Sequence, residues 1–183
     1  MLQDNRRAFG GFTPVRRLVT TALLISMALV LAWLERLLPA ELVAPIPGIK
    51  LGLPNIITLF ALYHTDMRTA LTVVFGRTLL AALLFGNPAS FAFSLMGGLF
   101  ALAAMAALRR GYGSVFTPLG VSVLGAAFHN IGQICAAAAV MRTAGVFSYL
   151  AVLLVSAVPT GLLTGLVFEL VNERLSKIVL FGR

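Results

Sequence analysis

Ser122, Gly125, His129 and Gln133 stand three or four residues apart inside a long apolar run, a spacing that lines them along one stripe of a helix with Asn130 one step to the side. Hydroxyl, imidazole and amide groups of this kind exchange hydrogen bonds without carrying a fixed charge at neutral pH. In hydrocarbon each unmatched group costs on the order of a few kcal/mol, so the stripe must face protein, water or a ligand. Two assignments fit it: a polar seam between helices, and one wall of a binding site.

Arg77 is the second chemical landmark. It lies about 15 Å along a helix that begins near Met67. At mid-depth in a membrane an arginine costs about 2.5 kcal/mol or more unless it is matched. No Asp or Glu lies in the central part of any apolar run; Glu35 ends the first run, and Glu169 lies near the surface opposite. Arg77 therefore donates to backbone carbonyls, snorkels outward, or receives an anionic or carbonyl-bearing ligand. With Lys50 from a neighbouring loop, these groups suit a small anionic or carbonyl-rich molecule better than a metal ion or a cation. A proton relay is the weaker option, because no membrane carboxylate accompanies His129.

The elements that position these residues follow from composition. Of 183 residues, 60% are hydrophobic and only 11% charged, with a mean hydropathy of +0.99, a balance that excludes an ordinary soluble domain. At about 20 residues per crossing the length accommodates about six helical spans in one transmembrane domain, residues 1–183. The expected spans are 18–38, 53–64, 67–85, 89–108, 119–141 and 147–171. Residues 1–17 read as a basic cytoplasmic tail, 39–54 as an external Pro- and Gly-rich loop folded back on the membrane body, and 172–183 as a cytoplasmic C-terminal tail. A retained first helix is expected rather than a cleaved signal. The charge of +8 is scattered at the ends of apolar runs, which argues for topology signals and against nucleic-acid binding. With the N-terminus inside, Arg6, Arg7, Arg16, Arg17, Arg68, Arg109, Arg110, Arg174, Lys177 and Arg183 fall on the cytoplasmic side, and only Arg36, Lys50 and Arg142 outside. Both termini are thus expected in the cytoplasm, and the polar groups in the outer half of the bundle. The single cysteine, Cys135, rules out an internal disulfide, and with only two histidines neither a metal site nor a cofactor is expected.

Four blocks carry a resemblance: Lys50-Leu-Gly-Leu-Pro-Asn55, Arg77 followed by Leu79-Leu80, Ser94-Leu-Met-Gly-Gly98, and Gly120-Val-Ser122 through His129-Asn130-Ile-Gly-Gln133. Together they resemble the Gx transporter family, also called heptaprenyl diphosphate synthase component I, over about Arg17 to Glu173. That family is in turn similar to the S components of energy-coupling-factor transporters, all-α six-helix membrane bundles that capture a vitamin or related molecule outside and depend on a coupling subunit and ATPases. The residues themselves draw Lys50, Arg77, His129, Asn130 and Gln133 toward one outward-facing cavity capped by the 39–54 loop, and with Asn55 and Ser94 from the same blocks they make the expected substrate-binding set. The resemblance implies that small residues on helix 1, Ala22 and Ser26 or else Ala28 and Ala32, form the partner surface.

The enzyme name meets a chemical objection. Prenyl chain elongation needs clustered carboxylates to hold Mg²⁺ on a diphosphate, and the only aspartates are Asp4 and Asp66. The chain is not expected to be an enzyme by itself, and with no Gly-x4-Gly-Lys-Ser/Thr loop any ATP hydrolysis belongs to partners. Two readings remain: a substrate-binding component of an uptake transporter in the cell membrane, or a non-catalytic membrane subunit of isoprenoid, quinone or flavin-linked electron-transfer machinery.

Overall fold

The structure is a computed structural model that describes residues 13–37, 50–109 and 117–177, with side chains through 173. The N-terminal tail before residue 13, most of the expected external loop (38–49) and the last six residues lie outside the described residues. Among the described residues the fold is all-helical: α1 Pro14–Glu35, α2 Asn55–His64, α3 Met67–Phe85, α4 Pro88–Leu108, α5 Pro118–Met141, a short 3₁₀ segment Ala144–Tyr149, and α6 Leu150–Lys177. The last helix therefore runs on to Lys177, into the residues expected to form the C-terminal tail.

Helix starts are written in the sequence by short polar caps. Thr13, Asp66, Asn87 and Thr117 each accept the backbone N–H three residues on, from Arg16, Thr69, Ser90 and Gly120 at 3.3, 2.7, 2.8 and 3.1 Å. Pro14, Pro88 and Pro118 follow three of these caps in the first turn, where a missing N–H costs nothing. Partial burial pushes the Asp66 carboxyl up, but the Thr69 N–H and hydroxyl and then Arg17 outweigh it and hold the group below its ordinary value. A depressed pKa contributes stability that is present above the unfolded value and lost as pH falls through the folded one. Asp66→Ala should thus lose about 1 kcal/mol at neutral pH and show a shallower decline of melting temperature on acidification below about pH 4, as thermal unfolding in detergent would report.

Among the described residues α1, α3, α4, α5 and the segment Ala144–Glu173 are long and apolar enough to cross a membrane; α2 is not. Ten residues reach only about 15 Å, half of a hydrocarbon layer of about 30 Å. Yet two contacts show that the chain returns across the bundle between α1 and α3. At one end Arg17, near the start of α1, pairs with Asp66, the cap of α3, at 2.7 Å. At the other end the Arg36 guanidinium lies 5.3 Å from the Phe85 ring centroid, just past the ends of α1 and α3. The two helices therefore run parallel, and the described segment 50–66 comes back to the level where α1 starts. It does so as a buried half-helix: Asn55, Ile56, Ile57, Thr58, Leu59, Ala61, Leu62 and Tyr63 are all inside.

Packing divides the helices into two groups. α5 is the hub of one, in extended contact with α4 and α6, while α1 packs chiefly on α3 and α2. Close approach in the first group depends on glycine: a Cβ on Gly132 would sit 2.6 Å from the Met96 carbonyl oxygen, and one on Gly165 2.9 Å from the Leu119 Cα. Gly161 abuts the Val123 backbone one turn earlier, so the Gly161-x3-Gly165 pair seats α6 on α5. The main apolar core, around Leu59, Leu62, Val73, Val74, Leu102, Met105, Val121 and Phe168, joins the two groups in one half of the bundle.

Candidate functional site

In the other half the groups are joined by polar contacts around a cavity. Its walls are Ala32 and Glu35 from α1, Lys50, Gly52 and Pro54 from the segment leading into α2, Arg77, Thr78 and Ala81 from α3, Ser94 from α4 and His129 from α5. The space inside is about 10 Å³, room for a water molecule. Most of its polar side chains, Glu35, Arg77, Ser94 and His129, are buried to within a few per cent of completely.

Gln133 builds one wall by treating Lys50 as if it were a neighbouring strand. Its Oε1 accepts the Lys50 backbone N–H at 2.9 Å, and its Nε2 donates to the Lys50 carbonyl at 2.8 Å. This double bond fixes the orientation of the amide. The second Nε2 hydrogen is then directed at His129 Nε2, which must accept, so the neutral imidazole carries its proton on Nδ1. The Lys50 side chain crosses the cavity to donate to Ser94 Oγ at 2.9 Å. Two glycines flank the imidazole ring. A Cβ on Gly97 would lie 2.7 Å from His129 Cε1, and one on Gly52 would lie 2.9 Å from His129 Cδ2.

Glu35 closes the opposite side. Its Oε1 accepts the N–H of Gly52 and, at 3.4 Å, that of Leu53. Segment 50–54 is thereby held by side chains from α1, α4 and α5 at once. Arg77 donates from Nη2 to Asn55 Oδ1 at 3.0 Å, which ties the middle of α3 to the start of the half-helix. Four buried polar atoms here have no side-chain or backbone hydrogen-bond partner: Glu35 Oε2, Arg77 Nε, Asn55 Nδ2 and His129 Nδ1.

Of the residues selected from sequence, Lys50, Arg77, Ser94 and His129 line the cavity, while Asn55 and Gln133 bond directly to residues that do. Asn130 is not brought there. It faces α6, donating from Nδ2 to the Leu153 carbonyl at 2.6 Å, because one step along a helix turns a side chain by about 100°. Ser122 is buried away from the cavity as well. On α1 the two small-residue pairs separate clearly: Ala28 and Ala32 are buried against the body, Ala32 in the cavity wall, whereas Ala22 and Ser26 lie on the exposed face. Ala28 and Ala32 therefore cannot serve as an outward partner surface in this structure. The sequence offers Glu35 as a carboxylate that approaches Arg77 from the outer end of the first run but not as a substrate-binding residue, and it gives no sign of Gly52. The signal for Glu35 was its position beside Arg36 at the end of an apolar run, which reads as a membrane boundary.

Gln133→Met, close in volume but apolar, would strand the Lys50 N–H and carbonyl and the His129 Nε2. Each such loss costs about 1–3 kcal/mol. We expect a clear fall in thermal stability and faster hydrogen exchange at the Lys50 amide, with the exchange of α4 and α6 amides little changed.

Among the described residues no three His, Cys, Asp or Glu side chains are placed to hold a metal ion. The family model described as heptaprenyl diphosphate synthase component I matches residues 24–171, a range that contains every residue of the cavity. No curated protein and no solved structure matches the chain.

Proposed function

Because the chain belongs to the heptaprenyl diphosphate synthase component I family, a family of membrane components named for one part of a larger assembly, we propose that it binds a small molecule for partner subunits and is not itself the catalyst. In this reading it is the substrate-binding component of an uptake system in the cell membrane. It captures a small anionic or carbonyl-rich molecule from outside and depends on separate coupling and ATPase subunits. The observation that carries the proposal is the cavity itself: buried Arg77 and Glu35 from one helix group face Lys50, Ser94 and His129 across a closed space. Intramembrane ionisable groups that enclose a cavity mark a substrate path more often than a structural seam.

The same reading takes the half-helix α2 and the segment before it as the second of six crossings, with both termini in the cytoplasm and the cavity in the outer half. Half-helices of this kind are a recurrent device of membrane binding sites, since they bring irregular backbone to mid-depth where it lines a cavity. The water-sized space requires that segment 50–54 withdraw for a larger molecule to enter. Ala22 and Ser26, on the exposed face of α1, are then the small-residue pair available to a coupling subunit.

The family description favours a second reading, a non-catalytic membrane subunit serving isoprenoid synthesis or related redox machinery. Native mass spectrometry of protein purified gently from its own membranes separates the two. A bound vitamin-like molecule together with an ATPase module supports the transport reading. A bound prenyl diphosphate, quinone or flavin with a soluble enzyme overturns it in favour of the second.

A further inference from the structure

The charges around the cavity can be counted, and the count restricts what fits. Among the described residues, Glu35, Lys50 and Arg77 are the ionisable groups in its wall besides His129. Gln133 donates to both the Lys50 carbonyl and His129 Nε2, which leaves that imidazole as the neutral Nδ1–H tautomer. Two backbone N–H donors on Glu35 Oε1 and two cations in the same wall suit its carboxylate form. One carboxylate against two cations leaves a single uncompensated positive charge.

Hydrogen-bonding capacity restricts the ligand further. Arg77 Nε and the His129 Nδ1–H in the wall, and Asn55 Nδ2 beside it, are buried donors without a partner, and Lys50 Nζ has given one of its three hydrogens, to Ser94. These call for an oxyanion or carbonyl. Glu35 Oε2 is a buried acceptor without a partner in the same cavity, and it calls for the opposite, an N–H or O–H. A second oxyanion placed against it would meet a like charge in a medium where such repulsion is strong.

We infer that the cavity selects a small monoanion that carries a hydrogen-bond donor beside its acidic group, with Arg77 and Lys50 taking the acid and Glu35 the donor. The inference rests on the small-molecule reading above and narrows it. A diphosphate is excluded from this site, because it brings more negative charge than the wall can neutralise and sets further oxyanions against Glu35. Glu35 is thus a specificity residue: it turns a site that would otherwise accept any small anion into one that checks for a neighbouring N–H or O–H.

Two heteroaromatic acids test this directly. Pyrrole-2-carboxylate and thiophene-2-carboxylate share charge and ring size, but only the first has a ring N–H beside the carboxylate. Their affinities for the full chain in lipid nanodiscs are measured by ligand-dependent thermal unfolding, with inorganic pyrophosphate as the third probe. The expected result is a preference of about tenfold or more for the pyrrole acid over the thiophene acid, with pyrophosphate weakest. Glu35→Gln should erase the preference and strengthen pyrophosphate binding. The wild-type comparison stands alone if that variant does not fold. Equal affinity for the two acids overturns the inference. Pyrophosphate binding tightest, and losing that binding in Arg77→Gln, overturns the donor requirement while sustaining a small-molecule site. No response of the folded protein to any of the three probes overturns both.

Discussion

Arg77→Gln should leave a protein that inserts and folds but binds small anions about 100-fold or more weakly. Arg77 is 4% exposed, its guanidinium bonded to Asn55 and set against Gly98, where a Cβ would lie only 3.0 Å from Arg77 Nη2. Glutamine is shorter and neutral, yet it retains amide hydrogens that can be directed at Asn55. Removing a mid-membrane charge lowers the insertion cost by about 2.5 kcal/mol or more, which offsets the lost hydrogen bond. Binding has no such compensation, since Lys50 alone then faces Glu35 and the site's net charge falls to zero. Titration by thermal shift gives the affinity, and the unliganded melting temperature gives the stability. A large fall in stability would instead make Arg77 a structural strut, and the polar stripe a seam between helices.

The second large effect is expected at the glycines that hold the imidazole. Gly52 has a φ of +91°, a left-handed conformation that L side chains rarely adopt. A methyl group there would also meet Asn55 Nδ2 at 2.8 Å and His129 Cδ2 at 2.9 Å. Gly52→Ala therefore combines backbone strain of about 1–2 kcal/mol with a clash against two buried groups. The least costly escape is to undock segment 50–54 and break its bonds to Glu35 and Gln133. Hydrogen exchange should show rapid turnover of the amides at 50–54, and the ligand-dependent thermal shift should disappear. Gly97→Ala tests the other face of the ring, where a Cβ meets His129 Cε1 at 2.7 Å and Gln133 Cγ at 3.0 Å. If both alanine variants exchange and bind as the native protein does, the imidazole is not clamped as described.

The sequence carried the helical membrane fold well, because uninterrupted apolar runs and Thr, Asp or Asn caps before proline are local signals. The expected ends of α3 at Met67 and Phe85 coincide with those in the structure. It carried the site less evenly. Helical spacing groups His129 with Gln133, but it cannot tell whether a neighbour one step aside, Asn130, faces the same partner. Glu35 was legible only as a carboxylate near Arg77, because a charge at a helix end has an ordinary explanation in the membrane surface, and only the path of the chain after residue 50 brings Gly52 and Leu53 onto it. Likewise Ala28 and Ala32 cannot be told from Ala22 and Ser26 by spacing. The difference lies in which side of α1 meets α3, a tertiary fact.

The order in which the site residues occur has a consequence for biogenesis. Asn55 and Glu35, the acceptor and the countercharge nearest Arg77, both precede it in the chain. As Arg77 leaves the ribosome, the groups that can satisfy it are already made and ready at the translocon, so α3 need not enter lipid with a bare cation. His129 and Gln133 come much later, and until they arrive segment 50–54 has only Glu35 and Ser94 to hold it, without the two backbone bonds that Gln133 makes to Lys50. A nascent chain halted after α3 should therefore be integrated in the bilayer yet unable to hold ligand, and the last step of maturation is the docking of that segment onto α5 rather than the insertion of any helix.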